Sequence, residues 1–202
     1  MTQEMLFGNA QWLNESRAWL EADTLVIHAP ARTDYFRPYG APAEEGITPA
    51  TLQNAPFLYR EVAGDFVLRV RVRHAFQDTY DAAAIMVMQS DAVWAKACFE
   101  RTDFGTHAVV SVVTNGVSDD ANGCNIEGDT VWLQVCRVGE TFAFHYSLDG
   151  ARFDMMRFFY LPVDRTIKVG LVAQAPQGEG GDRFFSELSL ANRTVKNIRF
   201  GS

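Results

Sequence analysis

The chain has 202 residues and carries 18 Lys and Arg against 25 Asp and Glu, for a formal net charge of −7. That length suits one domain or two small ones and is enough to bury a sizeable core. A content of 48% hydrophobic and 12% aromatic residues excludes disorder and low complexity. The negative charge, with no cluster of Lys and Arg, excludes nucleic acid as a partner.

The three cysteines, Cys98, Cys124 and Cys136, are odd in number and lack Cys-x-x-Cys spacing. They argue against a disulfide framework and a structural zinc site, and they fit a reducing compartment. The first ten residues lack the basic and apolar regions of a signal peptide. No run approaches the ~18 apolar residues of a membrane span. No membrane partner is expected, and the expected location is the cytoplasm.

Period-two alternation dominates the chain. Asp23-Thr-Leu-Val-Ile-His-Ala-Pro30 alternates and closes on proline. A proline-rich loop over residues 32–54 follows, of a length that is often functional. A short strand is predicted at 57–61. Phe66-Val-Leu-Arg-Val-Arg-Val-Arg-His74 then sets Phe66, Leu68, Val70 and Val72 on one face. Arg69, Arg71 and Arg73 lie on the other, a solvated face. Strands are further predicted at 82–89, 93–101 and 106–114. Asn115-Gly116 then opens a loop over 117–129, rich in Gly, Asp and Asn. The last strands are predicted at 131–138, 141–147, 155–160, 167–175 and 183–190. About eleven short strands with no helical period predict an all-β antiparallel sandwich or barrel. No linker or repeat divides the chain, so residues 1–202 read as one domain.

Hairpin registers place polar side chains together. If Gln89 pairs with Ala92, Asp81 faces Glu100 and Ala83 faces Cys98. If Arg101 pairs with Thr106, Glu100 faces His107 and Lys96 faces Ser111. Asp81, Lys96, Glu100, His107 and Ser111 would then share one face with Cys98, with opposed Cβ atoms about 5 Å apart. Around Gly139-Glu140, Val138 opposite Thr141 sets Gln134 against His145 and Trp132 against Ser147. Leu133, Val135, Phe142, Phe144 and Tyr146 fill the core face of that hairpin.

Two carboxylates about 5 Å apart, Asp81 and Glu100, match the spacing of a retaining glycosidase. The same residues also suit a non-catalytic ligand site or a cross-strand ion-pair network. Asp119, Asp120, Asn122 and Asn125 gather oxygen donors, but no EF-hand spacing is present. No metal or cofactor site is assigned. Tyr35, Phe36, Tyr39, Tyr59 and Tyr80 lie near strand ends, where exposed rings would stack on sugars.

Several ordered motifs carry a resemblance. They include Trp12-Leu-Asn-Glu15, Thr33-Asp-Tyr-Phe-Arg37, Asn54-Ala-Pro-Phe-Leu-Tyr-Arg60 and Trp94-Ala-Lys-Ala-Cys-Phe-Glu100. Ser111-Val-Val-Thr-Asn-Gly116, Tyr146-Ser-Leu-Asp-Gly150 and Val169-Gly-Leu-Val-Ala-Gln-Ala-Pro-Gln-Gly-Glu179 continue the series. The chain resembles a family of unknown function that includes the fungal regulation-of-enolase protein. The resemblance implies a concanavalin A-like lectin/glucanase jelly roll, with a concave groove where relatives of that fold bind sugars. The glucanase branch carries Glu-x-Asp-x-x-Glu on one strand. Here that strand reads Lys96-Ala-Cys-Phe-Glu100, a departure that speaks against that activity.

The expectation is a β-sandwich binding a carbohydrate or small metabolite, acting alone or regulating a metabolic enzyme as partner. Asp81, Lys96, Glu100, His107 and Ser111 would make its polar contacts. Trp132, His145 and Gln174 would extend the same wall, and Tyr35, Phe36 and Tyr59 would rim it. A glycoside-active enzyme using Asp81 and Glu100, and a protein-interaction module without a small ligand, are the alternatives.

Overall fold

The computed structural model describes residues 9–38 and 53–202. Within them the chain forms β1 (Gln11–Leu13), β2 (Ala18–Glu21), β3 (Thr24–Pro30), β4 (Phe57–Ala63), β5 (Phe66–Arg73), β6 (Ala82–Ser90) and β7 (Val93–Arg101). It continues through β8 (His107–Asn115), β9 (Val117–Asn125), β10 (Thr130–Val138), β11 (Thr141–Ser147), β12 (Asp154–Tyr160), β13 (Thr166–Gln174) and β14 (Gly180–Ala191). No helix occurs among the described residues, so none is long and apolar enough to cross a membrane. Tyr39 and the prolines at 42 and 49 lie outside the described residues.

Two antiparallel sheets make the sandwich. Sheet A runs β1-β4-β13-β6-β7-β8-β9, and sheet B runs β12-β11-β10-β5-β14-β3-β2. Alternation decides which side chains meet between them. Leu68, Val70 and Val72 of β5 pack with Ile85 and Val87 of β6, Phe99 of β7, Leu171 of β13 and Phe142 and Phe144 of β11. The strand pattern anticipates an antiparallel sandwich or barrel, and the resemblance implies the two-sheet, concanavalin A-like form found here.

Three strands were not anticipated. β1 and β2 are too short to show a period. β9 falls in the predicted loop over 117–129, because Asp, Asn and Gly are poor strand formers. It survives as the edge of sheet A, where an exposed polar strand discourages further pairing. Asn115 pairs with Val117 around Gly116 at φ 81°, so Asn-Gly makes a tight turn and opens no loop.

The outward face of β5 is less wet than alternation implies. Arg69 and Arg71 are half-buried. Arg69 lies 4.0 Å over the Phe153 ring, Arg71 5.1 Å over Trp132 and Arg73 3.9 Å over Phe184. Guanidinium planes cover aromatic faces that the core cannot reach.

Gly170 of β13 has a steric reason. A Cβ there would overlap the Leu58 carbonyl oxygen of β4. Gly170→Ala is expected to cost about 1–3 kcal/mol by forcing the two backbones apart. Denaturant titration measures it, and a loss below a few tenths would show that β4 shifts freely.

Candidate functional site

Sheet A presents a second buried face, turned away from the core. Its residues are the alternate ones of β6, β7, β8, β13 and β4. Cross-strand pairing sets them in rows. Gly170, Met86, Lys96 and Val112 form one row, and Val172, Ala84, Cys98 and Val110 the next. Gln174, Ala82, Glu100 and Ala108 form a third. Alanines, glycine and cysteine make the floor shallow. Phe57, Tyr59, Trp94 and Tyr35 make its apolar flank.

Lys96 stands in the middle of this floor and is almost wholly buried. Its Nζ donates to Asp34 Oδ1 at 2.8 Å and to Gln174 Oε1 at 2.7 Å. Gln174 Nε2 in turn donates to the Tyr80 carbonyl at 3.1 Å. Burial disfavours the ammonium, but Asp34, through its charge and its hydrogen bond, does most to outweigh it, and the Lys96 pKa stays above its ordinary value. A lone buried lysine would lose its proton, so Asp34 keeps this one charged. Asp34 is fixed by its own turn, with the Tyr35 amide donating to its Oδ1 at 2.7 Å.

Glu100 lies two rows from Lys96 on the same strand. It is 7% exposed and makes no side-chain hydrogen bond among the described residues. Burial pushes its pKa up to about 8. Lys96 opposes the shift, while Asp34, Asp120 and Asp103 add to it. At neutral pH the group is a carboxylic acid. Trp94 Nε1, on the same face, is buried without a hydrogen-bond partner.

The structure divides the predicted row of polar residues. Both hairpins are offset by one residue from the expected pairing. In β6–β7 a bulge between Met88 and Ser90 shifts the ladder, so Glu100 faces Ala82, not Asp81. In β7–β8 Gly105, at φ 74°, allows a three-residue turn closed by the Thr102 amide donating to the Thr106 carbonyl at 2.8 Å. Glu100 then faces Ala108, not His107, and Lys96 faces Val112, not Ser111. One residue of slip exchanges faces. Lys96, Cys98 and Glu100 stay together, while Asp81, His107 and Ser111 leave their face.

Each of those three has another environment. Asp81 precedes β6 and pairs with Arg183 of β14 at 3.0 Å, both buried. His107 stacks on His74 with ring centroids 3.9 Å apart, against Phe76 and Phe99. Burial first, then His74, holds His107 below the ordinary histidine range. Ser111 accepts from Arg157 Nη1 of β12 at 3.4 Å.

The β10–β11 register is as expected, with Gln134 opposite His145 and Trp132 opposite Ser147. Its polar face is, however, the outer face of sheet B, so Trp132 and His145 do not share a wall with Gln174. Residues after β14 cover part of that face, where Val195 packs on Val67 and Cys136. His145 Nε2 lies 3.2 Å from the Arg199 carbonyl, and its Nδ1 lies 3.4 Å from Gln134 Nε2. A neutral ring protonated on Nε2 satisfies both contacts. Trp132 Nε1 donates to Glu187 at 2.9 Å.

The expected aromatic rim is mostly enclosed. Tyr35 is buried, edge-on to Trp94 at 5.9 Å, and its hydroxyl accepts from Asn14 at 3.0 Å. Tyr59 is buried and donates to Gln11 at 3.0 Å. Phe36 is half-buried against the same cluster. Asp34 and Trp94 were not among the expected site residues. Asp34 sits beside Tyr35 in a singled-out motif, and Trp94 shares the β7 alternation with Lys96.

Among the described residues no group of three or more His, Cys, Asp or Glu side chains could hold a metal ion. The carboxyls of Asp81 and Glu100 lie on opposite faces of sheet A, so they cannot flank one glycosidic bond.

Comparisons with known proteins agree with this architecture. The family model described as "Protein of unknown function (DUF1349)" matches residues 12–193. The chain is 30% identical to "Regulation of enolase protein 1" of Saccharomyces cerevisiae over 183 residues, 89% of this chain and 87% of that protein. It is similar to the crystal structure of a functionally unknown protein from Saccharomyces cerevisiae, with TM-score 0.82 and 29% identity. That match covers 94% of this chain and 99% of the other. It also shares its fold with the carbohydrate-binding module CBM66 of Bacillus subtilis, with TM-score 0.57 and 10% identity, over 90% of this chain and 95% of that one. A xylan β-1,4-xylosidase from Bacillus halodurans matches with TM-score 0.65 and 10% identity, over 84% of this chain but 33% of the enzyme.

Proposed function

We propose, from the premise that the chain belongs to the DUF1349 family of proteins of unknown function, that it binds a carbohydrate or small metabolite on the outward face of sheet A. One observation carries this reading. Lys96 is buried with Asp34 and Gln174 on a face that points away from the core. A sandwich needs no charge there, and burying an ion pair rarely adds stability over an apolar substitute. Trp94, Tyr35 and Tyr59 pack beside the cluster as buried side chains.

The fold shared with a carbohydrate-binding module supports the ligand class. The name of the yeast relative supports a regulatory output, with ligand occupancy as the input to a metabolic enzyme. Three free cysteines fit a reducing compartment, and we assign the protein to the cytoplasm. The whole chain is read as one domain.

The test is a thermal-shift screen with neutral oligosaccharides, sugar phosphates and carboxylated metabolites at millimolar concentration. A binder present at 100 times its Kd adds about 2.7 kcal/mol to the stability of the native state. Lys96→Met is expected to abolish the shift while the variant still melts cooperatively. A screen without any shift, or a shift that Lys96→Met leaves intact, overturns the assignment.

A further inference from the structure

Sheet B carries a cap on its outer face, far from the site proposed on sheet A. Residues 192–202 follow β14 and fold over β5, β10 and β11. The segment closes on itself. The Asn197 amide donates to the Ser202 carbonyl at 2.7 Å, and the Ser202 amide donates to the Asn197 carbonyl at 3.3 Å. Its hold on the sandwich is slight. Val195 and Ile198 pack with Val67, Cys136 and Val138. Among the described residues, two strand side chains reach its backbone. His145 Nε2 lies 3.2 Å from the Arg199 carbonyl, and Gln134 Nε2 lies 3.5 Å from the Gly201 carbonyl. A segment with few buried apolar contacts and its own internal hydrogen bonds opens locally, without global unfolding.

The floor beneath the cap dictates which form of His145 can dock it. Arg69 Nε donates to Gln134 Oε1 at 3.0 Å, and Arg69 Nη2 donates to the same oxygen. Gln134 is thereby oriented with its NH2 group toward the cap. Cys136 Sγ at 3.4 Å, His145 Nδ1 at 3.4 Å and the Gly201 carbonyl surround that group, each as an acceptor. His145 Nδ1 is therefore bare, and Nε2 keeps the one proton for the Arg199 carbonyl. A second proton would set N–H against N–H. Gln134 cannot turn over in answer without losing both bonds to Arg69. The cap lies directly on this floor, since a Cβ on Gly201 would run into Gln134 Nε2. The charges nearby act the same way. Arg69 comes from β5, and Arg193 of the cap acts on both Arg69 and Cys136. β12 brings Met155 opposite the ring, and Ser147 on β11 is held by Asp149. No carboxylate among the described residues bonds to His145. Burial holds its pKa below the ordinary histidine range, with Arg69 adding to the effect and the Arg199 and Ile198 carbonyls opposing it.

We propose that residues 192–202 are a pH-sensitive cap, docked while His145 is neutral and lifted when the ring takes a second proton. With the cap lifted, His145 meets water and titrates near pH 6.5. With the cap docked, its contacts exclude the proton. The open form binds more protons, so docking strengthens as pH rises and weakens as pH falls below about 6.5. Each pH unit below that value favours opening by up to about tenfold, until the docked ring itself protonates. Opening uncovers Arg69, Gln134, a cationic His145 and the Cys136 thiol. A covered floor becomes a positively charged surface with an accessible cysteine.

The test reads the accessibility of Cys136, which is buried against Val195 of the cap. The full chain is labelled with dithiodipyridine between pH 7.5 and 5.5, and mass spectrometry assigns the label to each cysteine. The rate in the urea-unfolded chain divided by the native rate at the same pH gives a protection factor in which thiol ionisation cancels. Protection of Cys136 is expected to fall about tenfold from the top to the bottom of this range. Cys98, buried on sheet A, is expected to stay protected. His145→Gln keeps a donor for the Arg199 carbonyl without a titrating ring and is expected to give a flat profile. Val195→Asp is expected to open Cys136 at every pH while the sandwich still melts cooperatively. A flat wild-type profile, a fall that persists in His145→Gln, or loss of Cys98 protection in step with Cys136 overturns the switch. Protection of Cys136 that survives Val195→Asp overturns the cap itself. Each of these outcomes leaves the proposed site on sheet A untouched.

Discussion

Replacing Asp81 with alanine is expected to lower stability by about 3–5 kcal/mol, the cost of leaving a buried charge without its partner. Arg183 and Asp81 are 1% and 2% exposed and meet at 3.0 Å. The pair also ties the two sheets together. Arg183 belongs to β14 of sheet B, and its Nη2 donates to the Gln174 carbonyl of sheet A at 2.8 Å. Asp81 Oδ2 accepts from the Gln77 and Asp78 amides at 3.1 and 3.3 Å, which shapes the approach to β6. Alanine would leave the guanidinium with backbone carbonyls, the Phe76 face and the charges of Asp182 and Asp78, none of them its ion-pair partner. In a chain of this size each kcal/mol moves Tm by about 2–4 °C, so a fall of roughly 6–20 °C is expected. The double variant Asp81→Leu, Arg183→Met is expected to recover much of the loss, because it removes the charge that lacked a partner. A loss under about 1 kcal/mol in Asp81→Ala would show that the carbonyls satisfy Arg183 unaided.

Glu100→Gln is expected to change how stability depends on pH. In the unfolded chain a glutamate ionises near pH 4.3. In the fold burial holds Glu100 protonated up to about pH 8. Between those values the unfolded state has released a proton that the folded state keeps. The group's favourable contribution is therefore complete below about pH 4 and declines as pH rises, levelling off above about pH 8. Glutamine keeps the shape and removes the titration. The variant should gain stability over the wild type from pH 5 to about pH 8 and level off beyond it, by an amount on the order of a few kcal/mol. Thermal melts at half-unit pH intervals measure the divergence. Parallel profiles would place Glu100 in an ordinary, solvated environment.

These two residues show what the sequence reading could and could not reach. The simplest turns pair Asp81 with Glu100. The β6–β7 bulge and the three-residue β7–β8 turn each shifted the ladder by one. The bulge leaves no clear mark in composition, whereas Gly105 is the residue that a three-residue turn asks for. The Gly139-Glu140 hairpin has the expected register because a two-residue turn between strongly alternating strands admits only one. Lys96, Glu100 and Cys98 stayed together because period two along a single strand is independent of pairing. Gln174 joined Lys96 through a strand pair, β13 with β6, that no turn connects.

The covered outer face of sheet A did leave a trace. Ala82-Ala-Ala-Ile-Met-Val-Met88 has no polar alternation, as expected for a strand buried on both sides. β5, with arginine at every second position, does alternate. The contrast separates a sheet covered twice from one covered once, although arginine–aromatic stacking shelters even the polar face of β5.

By itself the sequence determined the all-β class, most strands, the core face of β5 and of the β10–β11 hairpin, and the family. These follow from local periodicity, turn chemistry and ordered motifs, all carried within a few residues of chain. Only the tertiary structure decided which polar residues share a face, that Asp34 reaches Lys96, that Asp81 belongs to Arg183, and that Tyr35 and Tyr59 are enclosed. Those facts depend on register and on long-range packing. A single residue of slip reverses a face, and the partner that keeps a buried charge ionised lies 62 residues away in the chain.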